Sequence, residues 1–321
     1  MSEHISGESG LLDDALRDAD PVMEAGIAPP AYRLPAATHL GHVSLQVADL
    51  ARSVEFYTHV LGLRVIASSG ATAMLGVEDG HTTLAHLHER PGATPCPHHG
   101  RLGLYHFAIL LPDRPALGRL VSHLAAIGAG IGASDHLVSE ALYLQDPDGL
   151  GIEVYADRPR SQWRSVNRQL RMASEPLDFA DVQRAAEGRP WTGMPAGTMM
   201  GHVHLHVASL DRAAAFFHGA LGLDKMVWDY PSALFLAAGG YHHHLGVNTW
   251  AGAHAPRPTD DDARLLEWRI VVPTASDVQQ AAASLASAGN AVVADGPDCL
   301  VADPWGTRIR LVCREQGKSS C

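Results

Sequence analysis

The chain repeats itself, and that restricts its possible folds more than any other feature. Residues 41–50 read Gly-His-Val-Ser-Leu-Gln-Val-Ala-Asp-Leu and residues 201–210 read Gly-His-Val-His-Leu-His-Val-Ala-Ser-Leu, so His42 and His202 stand 160 positions apart. Each run alternates apolar and polar residues, as a half-buried strand does, and leads into an amphipathic segment ending in Leu-Gly-Leu at 61–63 and 221–223. Leu50, Val54, Tyr57 and Leu61 form a helical stripe on the first of these segments. Asp146-Pro147-Asp148-Gly149 returns as Asp303-Pro304-Trp305-Gly306, which closes the second copy. Each copy is itself a tandem. A second alternating strand at 105–111 precedes a helix near 114–127, and a strand at 266–272 precedes a helix near 276–288. The unit is therefore βαβββ.

The expected architecture is α+β, with two domains of two βαβββ modules each and mixed sheets curled around a cavity. The boundaries read as an N-terminal extension 1–37, a first domain 38–157, a linker 158–197 with a short helix near 179–187, and a second domain 198–314. Two domains suit 321 residues. A net charge of −11 argues against nucleic acid as a partner. No apolar run approaches a bilayer span, and no secretory signal pattern is visible. Four cysteines without a Cys-x-x-Cys pair fit a reducing cytoplasm. The chain's 20 histidines are the anomaly, because several fall on the inward side of strands, where a polar ring needs a partner.

The run 134–153 packs His136, Tyr143 and Glu153 around the Asp-Pro-Asp-Gly turn, while His42 and His106 each lie near the start of an alternating strand. Two imidazoles and one carboxylate are the donor set that holds non-haem Fe(II) on one face and leaves the other face open. The rival reading makes the two histidines satisfied core residues and Glu153 a surface residue on an edge strand.

The spacing of His136, Leu142, Tyr143, Asp146, Pro147, Gly149 and Glu153 resembles the extradiol signature of the vicinal oxygen chelate superfamily, which includes glyoxalases, bleomycin-resistance proteins and extradiol dioxygenases. The repeat from about 38 to 314 is similar to the two-domain bacterial catechol 2,3-dioxygenase branch. That resemblance implies His42, His106 and Glu153 as ligands of Fe(II), with Mn(II) as a substitute. It also implies His136 and Tyr143 as catalytic residues beside the substrate. A third pocket histidine is implied in the last strand of the first module; His81 is the better match by position, with His86 as the alternative.

The expected reaction inserts O2 into a small aromatic diol. The alternatives are a glyoxalase-like isomerase or lyase, which would need a second carboxylate, and a non-enzymatic protein that sequesters an aromatic or antibiotic. A homo-oligomer stays open. In the second copy Glu267 stands where His106 does and Arg310 where Glu153 does. A permanent cation cannot be a ligand, so that copy is expected to be metal-free, with His202 dispensable and His242, His243 and His244 structural.

Overall fold

The structure is a computed structural model that describes residues 20–21, 25–97 and 100–314. Four βαβββ modules are present. Module A runs β1 (His39–Val47), α1 (Leu50–His59), β2 (Arg64–Ser69), β3 (Thr72–Gly76) and β4 (Thr83–Glu89). Module B runs β5 (Gly103–Leu110), α2 (Arg114–Ala126), β6 (Gly132–Asp135), β7 (Ser139–Gln145) and β8 (Gly151–Asp157). The linker carries the expected short helix, α3 (Phe179–Arg184). Module C contains β9 (Met199–His206), α4 (Leu210–Ala213) continuing as a π-helical turn through Ala220, β10 (Asp224–Val227), β11 (Ala233–Ala237) and β12 (Leu245–Asn248). Module D contains β13 (Arg264–Val272), α5 (Ala275–Ser287), β14 (Val292–Asp295), β15 (Asp298–Ala302) and β16 (Arg308–Cys313).

Local chemistry sets the helix starts. The Asp49 carboxylate caps the Arg52 amide at 2.9 Å, Asp113 caps Ala116 at 2.7 Å, and Thr274 and Asp277 form a reciprocal capping box. Within every module the first strand pairs parallel with the last, and the remaining pairs are antiparallel.

The modules do not pair as the copies suggest. One eight-stranded sheet has the order β10-β11-β12-β9-β5-β8-β7-β6, joining module C to module B. The other has the order β14-β15-β16-β13-β1-β4-β3-β2, joining module D to module A. The boundaries expected at 38–157 and 198–314 therefore do not delimit the sheets, since each sheet takes one module from each copy. The connectors show how this is held. The segments after β4 and β12 run side by side around residues 94 and 261–263, with Thr94 N donating to Asp261 O and Ala263 N to Thr94 O, both at 2.8 Å. Arg101 pairs with Asp262 at 2.9 Å.

Strand alternation divides each sheet into a core face and a functional face. On β9, Val203 and Leu205 are fully buried in the main core, while His202, His204 and His206 lie on the opposite face. On β1, Val43, Leu45 and Val47 do the same opposite His42, Ser44 and Gln46. Each fully buried Val or Leu contributes about 1.5–3 kcal/mol, so the alternation also locks the register.

Much of the 1–37 extension lies outside the described residues; its later part pairs Ile27 with Lys225 and Arg33 with Asp224. Cys96, Cys299 and Cys313 are free thiols. Among the described residues no helix is long and apolar enough to cross a membrane.

Candidate metal centre and its cleft

Where β5, β8 and β9 lie side by side, three donors meet. His106 Nε2 is 3.1 Å from Glu153 Oε2, His202 Nε2 is 3.2 Å from the same oxygen, and the two nitrogens are 3.3 Å apart. Their exposures are only 5%, 2% and 1% for His106, Glu153 and His202. Among the described residues this is the one cluster of three or more donors spaced to share an ion.

The two sequence-derived ligands His106 and Glu153 thus come together, but His42 does not join them. His42 lies on β1 in the other sheet, and its place is taken by its repeat partner His202. The physical reason is the exchanged pairing: β9, not β1, is hydrogen-bonded to β5. His202, expected to be dispensable, thus stands in the donor cluster.

The donor chemistry fits a cation. Burial pushes His202 down to about 4 despite the opposing pull of Glu153, so its ring is neutral. Burial works against the Glu153 carboxylate too, yet the attraction of His202 and hydrogen bonds from His106 and His202 hold it well below the usual carboxylate range. All three donor atoms converge on one point, with both rings aimed at Glu153 Oε2 and at each other's Nε2. Donors about 2.1 Å from one divalent ion at right angles stand about 3 Å apart, which matches that spacing. His202 Nδ1 is buried without a partner, so ring packing orients this imidazole instead: His243 lies 4.1 Å and Tyr155 5.0 Å from it, centre to centre.

The triad forms one end of a cleft enclosing about 530 Å³. His136 and Tyr143 both line it. His136 Nδ1 donates to the Ala173 carbonyl at 2.6 Å, which leaves Nε2 to accept the Tyr143 hydroxyl at 2.5 Å. Burial first, then Glu153, raises Tyr143 well above its ordinary value, so the phenol keeps its proton.

The third histidine assigned from sequence is not there. His81 is exposed in the turn between β3 and β4, where its amide is bound by Asp79, and the alternative His86 stands near His42 in the other sheet. The cleft instead receives His243 and His204. His242 Nε2 donates to Asp157 at 2.9 Å, so its Nδ1 accepts from His243 Nδ1 at 2.7 Å, and His243 Nε2 is left as an acceptor. Asn248 takes the Trp250 amide on its oxygen, so its NH2 faces His204 Nε2 at 2.9 Å and the proton of His204 sits on Nδ1. Gly246 allows this packing, because a Cβ there would come within 2.8 Å of the His204 ring. The signal for these residues was the repeat itself: the His-x-His-x-His of β9 and the His242-His243-His244 run.

The residues match known proteins. The Glyoxalase/Bleomycin resistance protein/Dioxygenase superfamily model matches residues 39–154, which spans modules A and B. A protein of Bacillus subtilis (strain 168) named catechol-2,3-dioxygenase is 42% identical over 270 residues, covering 83% of this chain and 94% of that one. The chain belongs to this superfamily. A biphenyl-2,3-diol 1,2-dioxygenase 3 of Rhodococcus globerulus is 30% identical over 122 residues, 37% of this chain and 63% of that one. Among solved structures, a candidate dioxygenase of Bacillus subtilis shares the fold with a TM-score of 0.62 at 14% identity, covering 89% of this chain and 87% of that one. Glyoxalase I from Zea mays aligns with a TM-score of 0.52 at 20% identity, covering 86% and 92%. Within the superfamily, then, the curled pair of sheets is shared by differently named enzymes, and the chemistry must be argued from the cleft.

Proposed function

We propose that this chain is an extradiol dioxygenase that opens a catechol-type ring beside its diol with O2, at a ferrous ion held by His106, His202 and Glu153. The observation that carries the reading is the convergence of two imidazoles and one carboxylate in the lining of an aromatic cleft. Its 42% identity to a protein named catechol-2,3-dioxygenase supports the same reading. His106, His202 and Glu153 would hold Fe(II), or Mn(II) in its place, which when bound would supply the electron relay between diol and O2 without an organic cofactor.

The chain's own residues do the rest. Three donors leave room on the cleft side for a diol and for O2. His243 Nε2, already an acceptor, is placed to take a proton from the diol as it binds. Tyr143 offers a hydroxyl whose direction is set by His136, and the linker carbonyl of Ala173 sets His136 in turn. Tyr105, Phe235 and Trp250 wall the ring off from water. A glyoxalase-like isomerase would call for a second carboxylate, and the described cluster contains only Glu153.

The test is to load the protein with Fe(II) without oxygen, add catechol, and admit air. Oxygen uptake with a yellow ring-cleavage product is expected. A metal-loaded, folded protein that binds catechol and consumes no oxygen would overturn the proposal.

A further inference from the structure

The cleft also says which diols it takes. Beyond the metal end its wall is made by Tyr105, Tyr230, Phe235, Trp250 and Met172. The rings brace one another edge to face: Tyr105 against Trp250 and Tyr230 against Phe235, each at 5.6 Å. Among the described residues no lysine or arginine lines this space. Arg158 is tied to Asp135 at 2.6 Å and Glu140 at 3.1 Å, and Arg114 to Glu140 and Asp181, whereas Arg171 keeps a buried Nε without a partner. Arg171, the chain neighbour of Met172, does not line the wall. The one carboxylate in the lining is Glu153.

The linker completes this wall. Met172, Ala173 and Ser174 line the cleft, and Ser174 Oγ meets the Tyr230 hydroxyl at 3.2 Å. An acidic ring substituent would leave water for an apolar surface with no counter-charge, whereas a methyl, alkyl or aryl group would gain contact.

We infer that the cleft selects catechols with an uncharged, apolar ring substituent, and that the Met172–Ser174 linker is the wall that enforces this. The inference rests on the dioxygenase reading for the diol itself, but it concerns binding and can be tested apart from turnover. Zinc-loaded protein, which performs no oxygen chemistry, is titrated calorimetrically with 4-methylcatechol and with 3,4-dihydroxybenzoate. The acid is expected to bind about 100-fold more weakly. Ser174 is exposed, so Ser174→Lys disturbs no core; it should tighten binding of the acid about tenfold and so narrow the ratio between the two ligands by about that factor.

Equal affinities for the two ligands, or binding of neither, overturn the inference. An unchanged ratio in a folded Ser174→Lys protein, checked by its melting curve, removes the linker from it. If the zinc protein discriminates and the iron protein opens neither ring, the dioxygenase reading fails while this one stands.

Discussion

The two sheets are built on one lattice and carry opposite chemistry. Across the central pair of the first sheet His204 faces His106; across the central pair of the second, Ser44 faces Glu267. Glu153 sits beside Ala108 on the parallel strand, and Arg310 sits beside Arg269 in the matching place. The positions that hold His202, His106 and Glu153 in one sheet therefore hold His42, Glu267 and Arg310 in the other. There the carboxylate and guanidinium close on each other, Arg310 Nε to Glu267 Oε1 at 2.8 Å, and Arg310 reaches Asp295 at 2.6 Å. That internal pair supplies its own cation. His42 Nε2 is left buried without a partner, and burial followed by repulsion from Arg269 holds this ring down to about 4. The lesson is that the fold provides two equivalent sets of positions, and two side chains decide whether a set stays open to an ion or fills itself.

The sharpest way to break the comparison is to remove donors from each side. Glu153→Ala and His202→Ala should each abolish metal loading and cut ring-opening activity by more than about 1000-fold, since each deletes one of three donors. His42→Ala should keep metal content and activity within about twofold. Elemental analysis beside oxygen uptake reads both. A folded His42→Ala protein without metal would show that the lattice positions had been assigned to the wrong sheet.

Much of this was legible in the residues. The module unit and the unsuitability of Arg310 as a ligand follow from period, turn chemistry and charge, and the spacing from His136 to Glu153 was carried by its resemblance to the extradiol signature. The donor from the other copy, His202, did not. His42 and His202 open nearly identical strands, and a repeat cannot say which copy of a strand pairs with β5. That choice is made by the segments after β4 and β12, whose mutual bonds through Thr94, Asp261 and Ala263 have no periodic signature. His243 was hidden for a related reason: a one-residue shift on a strand reverses its face, and three consecutive histidines give no register.

A constructive test comes next in size. Glu267→His combined with Arg310→Glu places two imidazoles and one carboxylate on the second lattice. Metal content per chain should rise from one to about two, with the new site weaker because its neighbours, Arg269 among them, still repel a cation. A doubly substituted, folded protein that still binds a single ion would mean that the two faces differ in more than these side chains.

The smallest effect concerns the turns that close modules B and D. In the first, Asp146 is buried and accepts from the Asp148 and Leu150 amides at 2.9 and 2.8 Å, while Asp148 is paired with Arg52. Burial, opposed by the Leu150 amide and reinforced by the charge of Asp148, pushes Asp146 up to about 7. In the second turn Trp305 stands where Asp148 does, and Asp303 is raised by burial without that neighbouring charge. A raised carboxyl binds its proton more tightly folded than unfolded, so it costs nothing below about 4, costs progressively more as pH climbs from about 4 to about 7, and is level above that. Three pH units bound the effect at about 4 kcal/mol. Asp146→Asn retains an oxygen for the two amides and has no proton to lose, so its stability relative to wild type should improve across that window. Asp303→Asn should show the same sign with a smaller slope. Denaturant unfolding of both variants between pH 4 and pH 8 measures the difference curves, and a flat curve for Asp146→Asn would mean that the first turn carries no more titration cost than the second.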